Sequence, residues 1–155
     1  MDSEKFRTFY DCFYEAVQKM VATIPGFEMP TDGKSTITGK KYTAIVGVVG
    51  FNKGRVHVEM NDALVSVIYE SVNGETVLDE RDLCFYLAEF TNMVAGNGIT
   101  VLNKLYKGIN LRLTPPAIFT GDNLEISTPP KVMTADGFFD TPFGSIRIQI
   151  GFEGE

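Results

Sequence analysis

Thr43-Ala44-Ile45-Val46-Gly47-Val48-Val49 is followed, past Gly50-Phe51 and Asn52-Lys53-Gly54, by Arg55-Val56-His57-Val58-Glu59-Met60. The first run is β-branched and nearly continuous, and the second alternates strictly between polar and apolar residues. Asn-x-Gly between them supplies the backbone freedom of a short turn, so the stretch predicts a β-hairpin. His57 then falls on the polar side of its strand, between Arg55 and Glu59, which predicts a surface or interface histidine.

Upstream of the hairpin, residues 3–23 place Phe6, Phe9, Tyr10, Phe13, Val17, Met20 and Val21 at i, i+3, i+4 spacings. That is an amphipathic helix with Asp2 or Ser3 as its cap, ending near Pro25-Gly26, and residues 30–34 follow as a polar loop. Downstream, Asn61 or Asp62 caps a short helix reaching about Tyr69. A long helix is expected from about Val77 to Tyr106, carrying Leu83, Tyr86, Leu87, Phe90, Met93, Val94, Val101, Leu102 and Leu105. Gly96 and Gly98 lie inside it. Each costs roughly 0.5–1 kcal/mol against alanine, so they should allow a close backbone approach or mark a bend.

The last third offers strands at Asn110-Leu111-Arg112-Leu113, Asn123-Leu124-Glu125-Ile126, residues 131–139 and residues 145–150, separated by Pro and Gly. Helices and hairpins mix without a strict βαβ alternation. The expected fold is therefore α+β, with long helices packed on one face of a mostly antiparallel sheet, in a single domain over residues 1–155.

Composition narrows the functional classes. Hydrophobic residues make up 44% of the chain, with 12 Phe and 6 Tyr, enough to fill a packed core. A formal net charge of -6 argues against nucleic acid and anionic lipid as partners, since those recruit Lys and Arg. No basic-then-apolar leader and no apolar run of about 20 residues is present, so a cytoplasmic protein without a membrane span is expected. Cys12 and Cys84 sit inside helices, in no metal-ligand spacing, and read as buried core thiols. No glycine-rich phosphate loop and no tight carboxylate cluster occurs, so no intrinsic cofactor or metal is expected.

Glu89-Phe90-Thr91-Asn92 lies on the long helix, and 22 residues separate Asn92 from Pro115. Three residues at 1.5 Å each set Glu89 and Asn92 about 4.5 Å apart along the axis, on one face, where both can touch one partner surface. Asp82 and Asn103 fall on the same polar flank, with Phe85 at its border. A Glu and an Asn alone describe no more than a solvated face. Glu15 and Gln18 on the first helix repeat the spacing and read chiefly as exposed polar residues, with a second site as the other possibility.

The longer pattern is more specific. Leu87-Ala88-Glu89-Phe90-Thr91-Asn92-Met93-Val94-Ala95-Gly96, the interval to Pro115, and Leu113-Thr114-Pro115-Pro116-Ala117-Ile118 with Gly121 after it resemble the CheC/CheX family of bacterial chemotaxis phosphatases. Ile45-Val46-Gly47-Val48-Val49-Gly50 resembles that family's early strands, and the single Glu-x-x-Asn site is more similar to CheX than to two-site CheC proteins.

The resemblance implies a phosphatase acting on the phospho-aspartate of a CheY-like receiver domain. The receiver would bring the phosphoryl group and its Mg²⁺, leaving its partner to place a water in line with the scissile bond. Asn92 would orient that water through its carboxamide, which hydrogen-bonds without titrating. Glu89 would pair with a receiver cation, and Pro115 would shape the adjoining loop. Family members of this type are commonly homodimers joined through their sheets, so a homodimer is expected.

One position departs from the family pattern: Phe85 stands where Ser or Asp is usual, four residues before Glu89, and Asp82 lies one turn further back. The alternative is a non-catalytic module that captures a response regulator or a flagellar-switch component with the same helix. An assembly protein of the same fold, its Glu89/Asn92 face covered by a subunit, is a third possibility.

Overall fold

The computed structural model describes residues 1–33, 36–122 and 131–154. Among them the elements run α1 (Ser3–Ala22), β1 (Thr31–Asp32), β2 (Lys41–Val49), β3 (Gly54–Asn61), α2 (Asp62–Asn73), α3 (Glu80–Leu105), β4 (Arg112–Leu113), β5 (Ala117–Gly121), β6 (Val132–Thr141) and β7 (Gly144–Glu153). The described strands form one sheet in the order β1-β6-β7-β3-β2-β4, with β5 also on β2, and every pairing is antiparallel.

Strand register explains why one face is apolar. Tyr42, Met60, Ile146 and Phe139 lie in one row across four strands. Ala44, Val58 and Ile148 form the next row, and Val46, Val56 and Ile150 the one after. All are at most 2% exposed and belong to one core with Phe9, Phe13 and Val17 of α1, Leu64 and Ile68 of α2, and Leu87, Phe90 and Val94 of α3. Burying a side chain of this size contributes about 1.5–3 kcal/mol, so these rows bind the helices to the sheet.

The opposite face is polar. Its rows read Phe119, Thr43, Glu59, Arg147, Phe138 and Ala117, Ile45, His57, Gln149, Asp136. Glu59 accepts from Thr43 Oγ1 at 3.4 Å and lies 3.8 Å from Lys41 and 3.7 Å from Arg147, whose guanidinium also reaches Asp136 at 2.9 Å. The expectation of a surface histidine fails here, because His57 is only 5% exposed. Alternation puts it on the correct side of β3, but it sits in a small recess lined also by Thr43, Glu59, Arg147 and Gln149. Burial first, then Arg55 and Arg147, pushes its pKa down to about 4, against a smaller opposing pull from Asp136.

The helix ends follow their caps. Asp2, rather than Ser3, caps α1 by accepting from Lys5 N at 2.7 Å. Asn61 caps α2, which runs past Tyr69 to Asn73 and stops where Gly74 takes a left-handed φ of 69°. Asp79 caps α3, so Val77 precedes the helix.

β1 falls where a polar loop is expected, and β5 lies in a stretch where no strand is expected. β1 is too short to show a period, and Pro115-Pro116 directly before β5 read as a break. The strand expected at residues 123–126 lies outside the described residues. Cys12 and Cys84 are half-buried rather than fully buried, packed against the rim of the core, and burial pushes both thiols above their usual range. No helix among the described residues is long and apolar enough to cross a membrane.

Gly98 meets the expectation of close approach and Gly96 does not. A Cβ at Gly98 would overlap the Phe13 ring, which is itself fully buried and stacked on Phe152 at 6.1 Å. A Cβ at Gly96 would reach Leu113 Cδ1 at an ordinary 4.0 Å. Opposite signs are therefore expected from one chemical change. Gly98→Ala lowers stability by about 1–3 kcal/mol through overpacking, whereas Gly96→Ala raises it by about 0.5–1 kcal/mol through helix propensity. Urea midpoints of the two variants that moved in the same direction would contradict this assignment.

Candidate functional site

α3 is amphipathic along its length. Leu83, Leu87, Phe90, Thr91, Val94, Ala95, Gly98 and Leu102 are buried, while Phe85, Glu89, Asn92 and Met93 are exposed. Within Glu89-Phe90-Thr91-Asn92 the inner two residues seat the turn. Phe90 is 1% exposed, and the Thr91 hydroxyl, fully buried, donates to Leu87 O at 2.8 Å. Glu89 and Asn92 are thereby held outward, about 4.5 Å apart along the axis. No hydrogen bond joins either side chain to another described residue, which leaves both available to a partner.

Both ends of α3 are tied down. At its start, Glu80 pairs with Lys40 at 2.6 Å and accepts from the Tyr42 hydroxyl at 3.3 Å, which holds its carboxyl below the usual range. Asp79 beside it is held low by hydrogen bonds from Arg81. With Asp82 half-buried and Glu89 exposed further along, the first half of the helix is acidic.

Asn103, expected on the open polar flank, is instead half-buried at the other end. Its Nδ2 donates to Leu111 O at 3.1 Å, and its Oδ1 accepts from Leu111 N at 2.8 Å. The chain after α3 folds back over that end, which a helical projection does not show. Pro115 is exposed in the link between β4 and β5. Thr114 before it locks to β2, accepting from Gly47 N at 3.0 Å and donating its own N–H to Gly47 O at 2.9 Å. Leu113 Cδ1 comes within 4.0 Å of where a Cβ at Gly96 would stand, so β4 runs beside the α3 turn that follows Asn92.

A groove of about 380 Å³ opens beside Glu89, between the C-terminal ends of α1 and α2 and the middle of α3. Ile24, Val72, Tyr86, Phe90 and Met93 are among its walls, with Glu89 at its polar edge. Tyr86 is half-buried there, edge-on to Tyr69 at 6.3 Å, and burial, then Glu89, pushes its pKa up to about 12. Sequence reading missed this groove. Met93, Val101 and Leu105 were counted with the apolar stripe, yet they are 48%, 45% and 59% exposed. Met93 lies just outside the buried arc, about 60° beyond Phe90, whereas Val101 and Leu105 fall in line with Leu83 and Leu87 and are exposed only toward the C-terminal end of α3, which a helical period does not show.

Gln18 is not one half of a second open pair, since its Nε2 donates to Pro30 O at 3.1 Å and anchors the chain after α1. Glu15 is exposed, in a separate cleft with Asn97 and Thr100. Among the described residues no three His, Cys, Asp or Glu side chains converge as metal ligands.

The family model described as chemotaxis phosphatase CheX matches residues 42–141, a span that includes the hairpin, α3 and Pro115. Chemotaxis protein CheX from Desulfovibrio desulfuricans superposes with a TM-score of 0.80 at 22% identity, over 94% of this chain and 99% of that one. CheX from Vibrio vulnificus gives 0.81 at 22% identity, over 94% and 96%. A chain of the CheX-CheY-BeF3-Mg²⁺ complex from Borrelia burgdorferi gives 0.74 at 25% identity, over 96% and 97%. No curated protein sequence matches the chain.

Proposed function

This chain belongs to the chemotaxis phosphatase CheX family, and we propose that it hydrolyses the phospho-aspartate of a CheY-like receiver domain by placing the attacking water with Asn92. The observation that carries this reading is the Glu89/Asn92 pair, turned outward from α3 by the buried Phe90 and Thr91 between its members. The Borrelia CheX-CheY complex supports a CheY-like protein as the partner.

Hydrolysis of an acyl phosphate on a receiver needs little new covalent chemistry. The receiver holds the phosphoryl group and its Mg²⁺, and the phosphatase adds a positioned nucleophile. The Asn92 carboxamide oxygen accepts a hydrogen bond from water, and its NH₂ group can donate to a phosphoryl oxygen. Glu89, about one helical turn away, pairs with a cation on the receiver and sets the angle of approach. Asp82 adds negative charge on the same side, and Pro115 fixes the loop beside the α3 turn.

The test is the decay rate of phosphorylated CheY-like receivers from the same organism, with and without this protein. Acceleration on at least one receiver is expected, and no acceleration on any of them overturns the assignment. A rival reading, a non-catalytic receiver-binding module, is favoured by Phe85 in place of the usual Ser or Asp. It predicts complex formation without acceleration.

A homodimer is also inferred. The outer edge of β5 has no partner strand among the described residues, and its Phe119 is 44% exposed. Light scattering at micromolar concentration should give twice the chain mass of 17.1 kDa. A monomer mass would refute it.

A further inference from the structure

Phe85, 74% exposed, is the most exposed large apolar residue of α3. It stands one turn before Glu89 and two turns before Asn92. Seven residues of helix bring it back to within about 20° of Asn92, roughly 10 Å along the axis. The three side chains thus form a single outward line: apolar, anionic, carboxamide. Met93, 48% exposed, adds a second apolar surface just beyond Asn92.

At this exposure about three-quarters of the residue is left in water. The nearby charges are mainly acidic, with Asp79, Glu80, Asp82 and Glu89 against one cation, Arg81, which pairs with Asp79 at 2.9 Å. A partner seated on Glu89 and Asn92 must therefore meet the ring in the same contact, and must offer it apolar surface beside positive charge.

We propose that Phe85 is a specificity-determining contact of this face, packing on an apolar patch that the receiver domain presents next to the cation recognised by Glu89. The proposal rests on the phosphatase reading for the identity of the partner and adds which receivers are accepted. Receivers with a polar or acidic side chain at the facing position are discriminated against, because a desolvated polar group opposite the ring has no hydrogen-bond partner. Phe85 does not touch the reacting atoms, so its contribution falls on association with the receiver more than on turnover.

The experiment uses Phe85→Ser and Phe85→Leu in the full chain. Two measurements are made with the receiver on which the wild type is active: steady-state hydrolysis over a range of phosphorylated receiver, and titration of the beryllofluoride-bound receiver. Phe85→Ser should raise KM and the dissociation constant about tenfold with a much smaller change in kcat, and Phe85→Leu should restore most of the affinity. Unchanged binding in Phe85→Ser, or a fall in kcat alone, overturns the proposal. So does a change in oligomeric state with KM intact, since the ring would then be covered by a second copy of the chain.

The two readings fail separately. If the wild type binds the beryllofluoride-bound receiver without accelerating hydrolysis, the phosphatase reading falls while the titration still decides the role of Phe85. If it binds no receiver, both fall.

Discussion

Asn92→Ala is expected to slow stimulated hydrolysis of the receiver phosphate at least ten- to hundredfold, about 1.4–2.7 kcal/mol of barrier, while complex formation is largely retained. The separation follows from where the side chain sits. Asn92 points away from the core that Phe90, Thr91 and Val94 fill on the other side of the same turn. Truncating it leaves the fold intact to within about 0.5 kcal/mol, as for most exposed substitutions. On the proposed role, the variant should lose the group that holds a water, an interaction that matters in the transition state more than in the docked complex. Phosphate release and titration with beryllofluoride-bound receiver, on one preparation of the variant, measure the two halves. Equal rates for variant and wild type would remove Asn92 from the chemistry and leave α3 as a docking element. Loss of binding together with rate would make Asn92 part of the contact instead.

The second large effect concerns stability, and it arises on the far face of the sheet. In an unfolded chain a histidine titrates near pH 6.5, whereas folded His57 titrates near pH 4. Between those values the unfolded chain binds more protons, so stability falls as the pH is lowered. The contribution is fully present above about pH 6.5 and is lost progressively toward pH 4. The slope can reach 1.36 kcal/mol per pH unit, for a total of at most about 3 kcal/mol. Carboxylates protonate over the lower part of the same range, so the informative quantity is a difference. Urea unfolding of wild type and of His57→Gln at pH 7, 5.5 and 4.5 should show the wild type losing more stability on acidification than the variant. Parallel pH profiles would mean that the imidazole is hydrated in the native protein despite its burial.

How far the sequence could be read depended on whether a feature was local. The β2-β3 hairpin was legible because its two periods and its turn all lie within one stretch, and each is a property of neighbouring residues. Glu89 and Asn92 were legible as a pair for the same reason: helix geometry alone puts residues three apart on one face. His57 shows the limit. Alternation reports the side of a strand, but burial depends on Arg147 and Gln149 of β7, nearly a hundred residues away. Asn103 fails in a similar way. A helical projection places it in line with Phe85 and Asn92, yet Leu111 returns to that end of α3 and takes up both ends of its carboxamide. β5 was hidden by the two prolines before it, since its partner is β2, far upstream. The groove at Tyr86 and Met93 could not be seen until α1, α2 and α3 were set side by side.

The two ties on α3 have a mechanical consequence. With Glu80 fixed to Lys40 and Tyr42 at one end, and Asn103 fixed to Leu111 at the other, the helix is a beam clamped at both supports and backed by the core along its span. Phe85, Glu89 and Asn92 all lie between the clamps. A load applied there by a docking protein meets a helix held at both ends, so the backbone positions that carry the three side chains keep their spacing while the side chains themselves adjust.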